Sequence, residues 1–357
     1  MKIAILSCNQ FSVAGGAERL IFDMSRALRA DVIAPSFGDE VIKNYQGNDS
    51  AGLVSLDKKL PNEPLRQISG MRLFSKIDLD YDFFICTDDM SLRYLRHAVP
   101  HFYYVLTPRR AMYDMYYPFL EESGALKRLG YFGALNAFKF FDRRFVRNHV
   151  QNIACISHTV RTRICKIYGR NAAVIYPPVH VEQYANRPSE GFWLSVGRVD
   201  KWKRIPLQVE AFRKMPDKKL FIAGHIYPRL REVANNAPSN VVFLGTCDET
   251  RLLDLYSRCE GFITTAIDED FGITPVEAMA SGKPVVATKE GGYLETVVDG
   301  FTGILTSPTI DAICTAVKKV SEDPSIYTRA CLERSQCFDF QLFRRTLKEY
   351  LLSCAQE

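Results

Sequence analysis

One stretch constrains this chain more than any other: Asp268-Glu-Asp-Phe-Gly-Ile-Thr-Pro-Val-Glu-Ala-Met-Ala-Ser-Gly282. The apolar run before it, Gly261-Phe-Ile-Thr-Thr-Ala, reads as a buried strand, and Pro284-Val-Val-Ala-Thr after it reads as another. The unit is strand, loop, helix, strand, with the loop at the carboxyl end of a strand, where open α/β sheets bind ligands. Thr274 is expected as the helix N-cap, Pro275 at the first helical position and Gly282 at the helix end. The unpaired N–H groups of Gly272, Ile273 and Thr274 would then suit a phosphate. Glu269 and Glu277 bracket that anion site. A negative pair there makes sense if each accepts hydrogen bonds from hydroxyls, one set on a sugar and one on a ribose. Thr274-x-x-Glu277 is equally a capping box, in which Glu277 satisfies the helix start, and Glu269 also reads as a solvated charge near a positive helix end.

A length of 357 residues favours two domains, and 47% apolar with 24% charged residues suits a globular protein with sizeable cores. The ten cysteines are scattered without metal-site spacing and read as reduced, mostly buried thiols of a cytoplasmic protein. The apolar start Met1–Cys8 is too short for a signal peptide, and no run of about 18 apolar residues spans a membrane. Charge is unevenly shared. Residues 1–187 hold 25 Lys+Arg against 18 Asp+Glu, and residues 188–357 hold 21 against 23. The basic first half suggests a phosphate-rich or membrane-surface partner. Nucleic acid is disfavoured, because no helix-turn-helix, finger or RNP-like motif is present.

Along the chain, strands are expected at 2–8, 32–34, 83–86, 151–157 and 172–176, with helices at 17–30 and 159–168. Gly15-Gly16 opens the first helix but is not a Gly-x-Gly-x-x-Gly fingerprint; a tight turn needing positive φ is one reading of it. Asp78-Leu-Asp-Tyr-Asp82 reads as a solvated strand entrance rather than a metal site. Phe138, Phe141 and Phe145 form a helical stripe among Lys139, Arg143, Arg144 and Arg147. That stripe either packs into the core or docks on an anionic membrane. After the stiff connector Tyr176-Pro-Pro-Val, strands at 192–196, 219–223, 241–244, 261–266, 284–288 and 303–305 alternate with helices, which argues for a parallel sheet covered on both faces. A basic amphipathic helix is expected over 338–353.

The Glu-x7-Glu of Glu269 and Glu277, followed by Ala-Met-Ala-Ser-Gly-Lys-Pro-Val-Val-Ala, resembles the signature of retaining GT-B glycosyltransferases of family 4. Val196-Gly-Arg-Val-Asp-Lys-Trp-Lys203 resembles the same family's Gly-Arg-x4-Lys pattern. The resemblance implies an α/β GT-B fold, with two Rossmann-like domains facing across a cleft. Residues 1–185 would form an acceptor-binding domain, 186–337 a nucleotide-sugar-binding domain, and 338–357 a helix packing back on the first. It implies that Arg198 and Lys203 hold the donor diphosphate, that Glu269 holds the sugar and Glu277 the ribose, and that Gly16 sits against the diphosphate. The physics agrees, since a departing diphosphate gains charge that fixed cations stabilise when no metal is present. Lys201 and Arg204 compete for the cation role, and the spacing selects Lys203.

Tyr103-Tyr-Val-Leu-Thr-Pro-Arg-Arg resembles the family's His-Thr-Pro-x-Arg segment, with Leu106 at the histidine position. Arg109 and Arg110 are candidates for an acceptor phosphate, or ordinary surface charges. The implied reaction is hexose transfer with retention, by front-face displacement, because no carboxylate near Leu106 offers a nucleophile. No metal or cofactor is expected. The partners are a nucleotide-sugar donor, with GDP-mannose as the guess, and a glycan or lipid- or phosphate-linked acceptor, at the inner face of a membrane. Two other classes remain, a GT-B nucleotide-sugar epimerase and an inactive binding or scaffold relative. Transfer, epimerised sugar or no turnover separates the three.

Overall fold

Buried, β-branched and aromatic runs set up two separate parallel sheets. The computed structural model describes residues 1–11, 15–39, 41–42, 52–61, 65–97, 99–115 and 125–356. It divides into one unit of Met1–Pro177 with Phe343–Glu357 and another of Pro178–Leu342. The first boundary lies before residue 185 because the chain past Pro177 is already tied to the second unit: Val179 bridges Asp339, and the buried Lys283 donates to the Arg187 carbonyl at 2.7 Å.

The first unit contains β1 (Ile3–Leu6), β2 (Gln10–Phe11), β3 (Asp31–Ala34), β4 (Ser36–Phe37), β5 (Leu53–Ser55), β6 (Phe83–Cys86), β7 (His101–Val105), β8 (Asn152–Cys155) and β9 (Ala173–Val174). Seven strands form one parallel sheet in the order β5-β3-β1-β6-β7-β8-β9, and β2 pairs with β4 alone. Every residue of β1, β6 and β7 is buried, as a strand covered on both faces requires. The chain moves outward one way from β1 and then restarts at β6, so the topological switch lies between those two strands. Asp88, just past β6, fastens that point: its carboxylate accepts from the Cys8 N–H at 2.6 Å and the Ser91 N–H at 2.8 Å.

The aromatic stripe divides. In the helix Ala125–His149, Phe145 is buried, while Phe140 and Phe141 are each 62% exposed with their rings packed edge-on. Core packing therefore accounts for Phe145 and in part for the half-buried Phe138, but not for Phe141. The last helix, Phe340–Ala355, buries Phe343, Leu347, Leu351 and Cys354 at helical spacing, and its Tyr350 ring meets Phe102 at 5.2 Å.

The second unit contains β10 (Phe192–Val196), β11 (Lys219–Ala223), β12 (Val241–Gly245), β13 (Gly261–Thr264), β14 (Val285–Thr288) and β15 (Gly303–Thr306), all parallel, in the order β12-β11-β10-β13-β14-β15. Here the switch lies between β10 and β13. Gly261 packs against the fully buried Trp193, whose ring would lie 2.8 Å from an added Cβ. Among the described residues, no helix is long and apolar enough to cross a membrane.

Candidate active site

Two loops leave the carboxyl ends of β10 and β13, on either side of the switch, and hydrogen bonds to backbone carbonyls stitch them together. Ile267 N–H donates to the Trp202 carbonyl at 2.8 Å, and Thr265 Oγ1 donates to the Lys203 carbonyl at 2.8 Å. The β10 loop turns at Gly197 over Gly224, where an added Cβ on Gly224 would lie 1.8 Å from the Gly197 carbonyl oxygen. Asp200 then accepts from the Lys203 N–H at 3.0 Å, capping the short turn Lys201–Lys203.

This turn sorts the three competing cations. Arg204, at φ +48°, donates to Glu290 at 2.9 Å, and the same carboxylate oxygen accepts from the Asp268 N–H at 3.3 Å. Arg204 thus braces the neighbouring loop. Lys201 is exposed, with Nζ 4.1 Å from the centre of the Trp202 ring. Lys203 Nζ reaches Glu269 Oε2 at 2.8 Å, with the two side chains 25% and 23% exposed. Both side chains keep about a quarter of their surface open, so an incoming anion can reach the ammonium. Arg198 lies nearby in sequence but is 64% exposed, with Nε 3.6 Å from Asp200.

The helix after Glu269 begins earlier than its sequence suggests. It spans Ile273–Ala280 with Gly272 as N-cap at φ +88°, so Thr274 is its second residue and Pro275 its third. Tyr293 dictates this. Its ring would lie 2.7 Å from a Cβ on Gly272, and its hydroxyl pairs with Thr264 Oγ1 at 2.6 Å. No side chain caps the helix. A helix start leaves its first N–H groups unsatisfied, and Pro275 carries none, so those of Gly272, Ile273 and Thr274 form the available donor set. The capping-box reading of Glu277 fails, since Thr274 lies inside the helix. Glu277, nearly buried, instead accepts from the Tyr256 hydroxyl at 2.7 Å. Burial, then the Glu277 charge, pushes the Tyr256 phenol well above its ordinary value, so it stays a donor. Gly282, at φ +68°, follows the helix end.

Three partners of this site escaped the sequence reading: Tyr256, Glu290 and the pair Gly291-Gly292. An added Cβ on Gly291 would lie 2.4 Å from the Glu269 carbonyl oxygen, and one on Gly292 would lie 2.4 Å from Phe271 Cα. Gly292 N–H also donates to the Glu269 carbonyl at 2.7 Å. The signal was available, since Glu-Gly-Gly follows, one residue on, a buried strand that neighbours β13.

In the first unit, Arg109 pairs with Asp89 and Arg110 with Asp114, each at 2.9 Å. Arg163 donates to Thr107 at 3.1 Å and lies 3.5 Å from Asp114, so both candidate arginines belong to a braced cluster rather than loose surface charge. Neither Gly15 nor Gly16 has positive φ, which removes the tight-turn reading. Gly15 is the N-cap of the helix Gly16–Leu28, and its N–H donates to Glu18 at 3.1 Å. A Cβ on Gly16 would meet nothing within 4 Å. Asp80 is exposed near the Lys2 ammonium, at 3.3 Å. Among the described residues, no three His, Cys, Asp or Glu side chains converge as a metal site would need.

Residues 179–335 match the family model described as glycosyl transferases group 1. Those residues are a group 1 glycosyltransferase domain. The whole chain superposes on the Anabaena protein HepE, solved with UDP and glucose, with a TM-score of 0.76 at 19% identity, covering 99% of this chain and 100% of that one. A similar likeness, with a TM-score of 0.71 at 15% identity, holds to WaaG, a glycosyltransferase involved in lipopolysaccharide biosynthesis, over 97% and 98% of the two chains. The architecture is therefore GT-B, with two Rossmann-like domains. Among curated relatives, alpha-1,3/1,6-mannosyltransferase ALG2 of Dictyostelium discoideum is 30% identical over 198 residues, 43% of this chain and 47% of the relative. Glycogen synthase of Mycobacterium tuberculosis (H37Rv) is 35% identical over 201 residues, 52% of this chain and 48% of the relative. The chain thus spans about half the length of these relatives. Arg198, Lys203, Glu269 and Glu277 all lie inside the group 1 domain.

Proposed function

We propose that the chain is a retaining glycosyltransferase that moves a hexose from a nucleoside-diphosphate sugar to a glycan or to a lipid- or phosphate-linked acceptor. The observation that carries this reading is the Lys203–Glu269 pair at the β10/β13 switch, beside the uncapped amides of Gly272–Thr274. Sugar hydroxyls would donate to Glu269, and ribose hydroxyls to Glu277. Arg198, Lys203 and the helix amides would take the diphosphate.

In the transfer, the bond from the anomeric carbon to the diphosphate oxygen breaks, and the acceptor oxygen bonds to that carbon on the same face. The acceptor proton passes to the departing phosphate oxygen, so charge balances without a protein nucleophile. Lys203 and the amides stabilise the leaving group where its charge develops. Mannose is the favoured sugar, supported by the similarity to the alpha-1,3/1,6-mannosyltransferases ALG2. The basic first half of the chain favours a phosphate-bearing acceptor at a membrane surface.

The deciding experiment incubates the protein with GDP-mannose or UDP-glucose and a lipid-linked oligosaccharide acceptor, with and without excess EDTA. Transfer of an α-linked mannose that survives EDTA supports the proposal. An inverted linkage, or turnover restored only by Mg²⁺ or Mn²⁺, removes the retaining or the metal-independent part of it.

A further inference from the structure

A pocket of about 350 Å³ in the first unit belongs to none of the chemistry above. Its lining includes Arg72 of the helix Leu65–Phe74, Arg93 and Arg96 of the turn Ser91–His97, and Arg144, Phe145 and His149 of the helix Ala125–His149. Both helices lead back to the next strand of a parallel sheet. Arg72 and His149, in their last turns, therefore sit towards the amino edge of that sheet. Ligands of the switch point bind at the opposite, carboxyl edge.

The lining holds four guanidinium groups and an imidazole but no carboxylate. None of the four arginines forms an ion pair among the described residues. Arg93 is 8% exposed, its guanidinium lies 4.1 Å from the centre of the Phe145 ring, and its Nε is buried with no hydrogen-bond partner. Burial, then the charges of Arg96 and Arg93, holds the His149 imidazole below its ordinary value. The blander account is that cations near helix ends offset the carbonyl dipoles. Arg72 and His149 answer to that account. Arg96, in the last turn of Ser91–His97, answers to it in part, but the buried Arg93 does not, and both converge on the same space from a separate element. Arg93 feels the charges of Asp142 and Asp89 outside the lining, but Arg72, Arg96 and Arg144 face a concave space whose walls carry no carboxylate. Guanidinium forks match phosphate oxygens, and an anion there completes the site.

We propose that this pocket binds a phosphate ester, with Arg72, Arg93, Arg96 and Arg144 taking its oxygens. The exposed pair Phe140 and Phe141, the latter on the pocket wall, offers apolar surface to whatever carries the phosphate. That carrier is either a soluble phosphorylated compound or a lipid headgroup.

The test titrates the full chain with inorganic phosphate by calorimetry at fixed ionic strength. It compares the native protein with Arg96→Ala/Arg144→Ala, whose side chains are exposed enough to leave folding intact. A control, Arg143→Ala/Lys166→Ala, removes the same charge from exposed positions outside the pocket lining. The pocket variant should bind phosphate at least tenfold more weakly, and the control within twofold of native. Equal losses in the two variants, or none in either, would overturn the site. Flotation with vesicles of phosphatidylcholine, with and without phosphatidic acid, then separates the sources. Phosphatidic-acid-dependent binding lost in both Arg96→Ala/Arg144→Ala and Phe141→Ala assigns a headgroup. Calorimetric binding without flotation assigns a soluble ester.

Discussion

Lys203 Nζ and Glu269 Oε2 lie 2.8 Å apart, although the two residues stand on separate loops that follow β10 and β13. On the proposed function, the contact holds a cation and a carboxylate in readiness, each with another use once a donor arrives. Lys203→Ala should lower kcat on the order of a hundredfold or more, as loss of one preorganised charge-stabilising group does. Lys201→Ala, which removes an exposed side chain stacked on Trp202, should change it little. Steady-state rates of the two folded variants check this, and an equal or larger loss in Lys201→Ala defeats the assignment.

Glu277 is aimed by Tyr256, so the two should act on nucleotide binding together. Glu277→Ala should weaken GDP or UDP binding, because ribose contacts are made before and during reaction alike. Tyr256→Phe leaves a buried carboxylate short of one hydrogen bond, a loss of about 1.5–3 kcal/mol. Part of that should appear as weaker nucleotide affinity by calorimetry. Unchanged affinity in Glu277→Ala would leave the residue with a purely structural task.

Two glycine substitutions should part company. Gly292→Ala forces a methyl group to within 2.4 Å of the Phe271 backbone and should cost about 1–3 kcal/mol of stability, read as a lower thermal midpoint. Gly16→Ala meets open space at negative φ and should leave the midpoint nearly unchanged. A loss of turnover in Gly16→Ala without loss of stability would then mark a contact with substrate.

Asp142 supplies a pH signature. It is 2% exposed, and accepts from Tyr113 at 2.7 Å and Tyr168 at 3.0 Å. Burial first, then the Asp89 charge, raises its pKa. An acid whose folded pKa is raised binds its proton more tightly when native. Its contribution is therefore full below the unfolded value, near ~3.9, and is lost as pH rises through the folded one. Asp142→Asn keeps an acceptor for both tyrosines and should flatten the fall in urea midpoint above about pH 4. Parallel curves for the two proteins would contradict this.

Much of the frame was readable because fully covered strands are plain in sequence: Phe83–Cys86 and Val285–Thr288 need no partner to declare themselves. Glu269, Glu277, Arg198 and Lys203 were nameable through their resemblance to the motifs of family-4 glycosyltransferases. What was not legible depends on contacts across the chain. Thr274 carried the local signal for an N-cap, yet the Tyr293 ring, packed where only a glycine fits, moves the cap to Gly272. Phe141 shares the helical spacing of Phe145, but spacing cannot say where a buried stripe ends. Arg109 and Arg110 looked like loose charge because Asp89, one of their partners, is twenty residues away in sequence.

Gly292 gives a way to read the history of sister genes. The cost of a side chain there falls on the backbone of Phe271, so folding holds the position whether or not any sugar is moved. Glu269 has no such guardian and is free to drift once selection for transfer lapses. If Glu269 has the proposed role, a duplicate that keeps the glycine but has lost the glutamate would be a retired enzyme on an intact scaffold. One that has lost both has rebuilt the loop, and inferences carried over from this chain stop at that point.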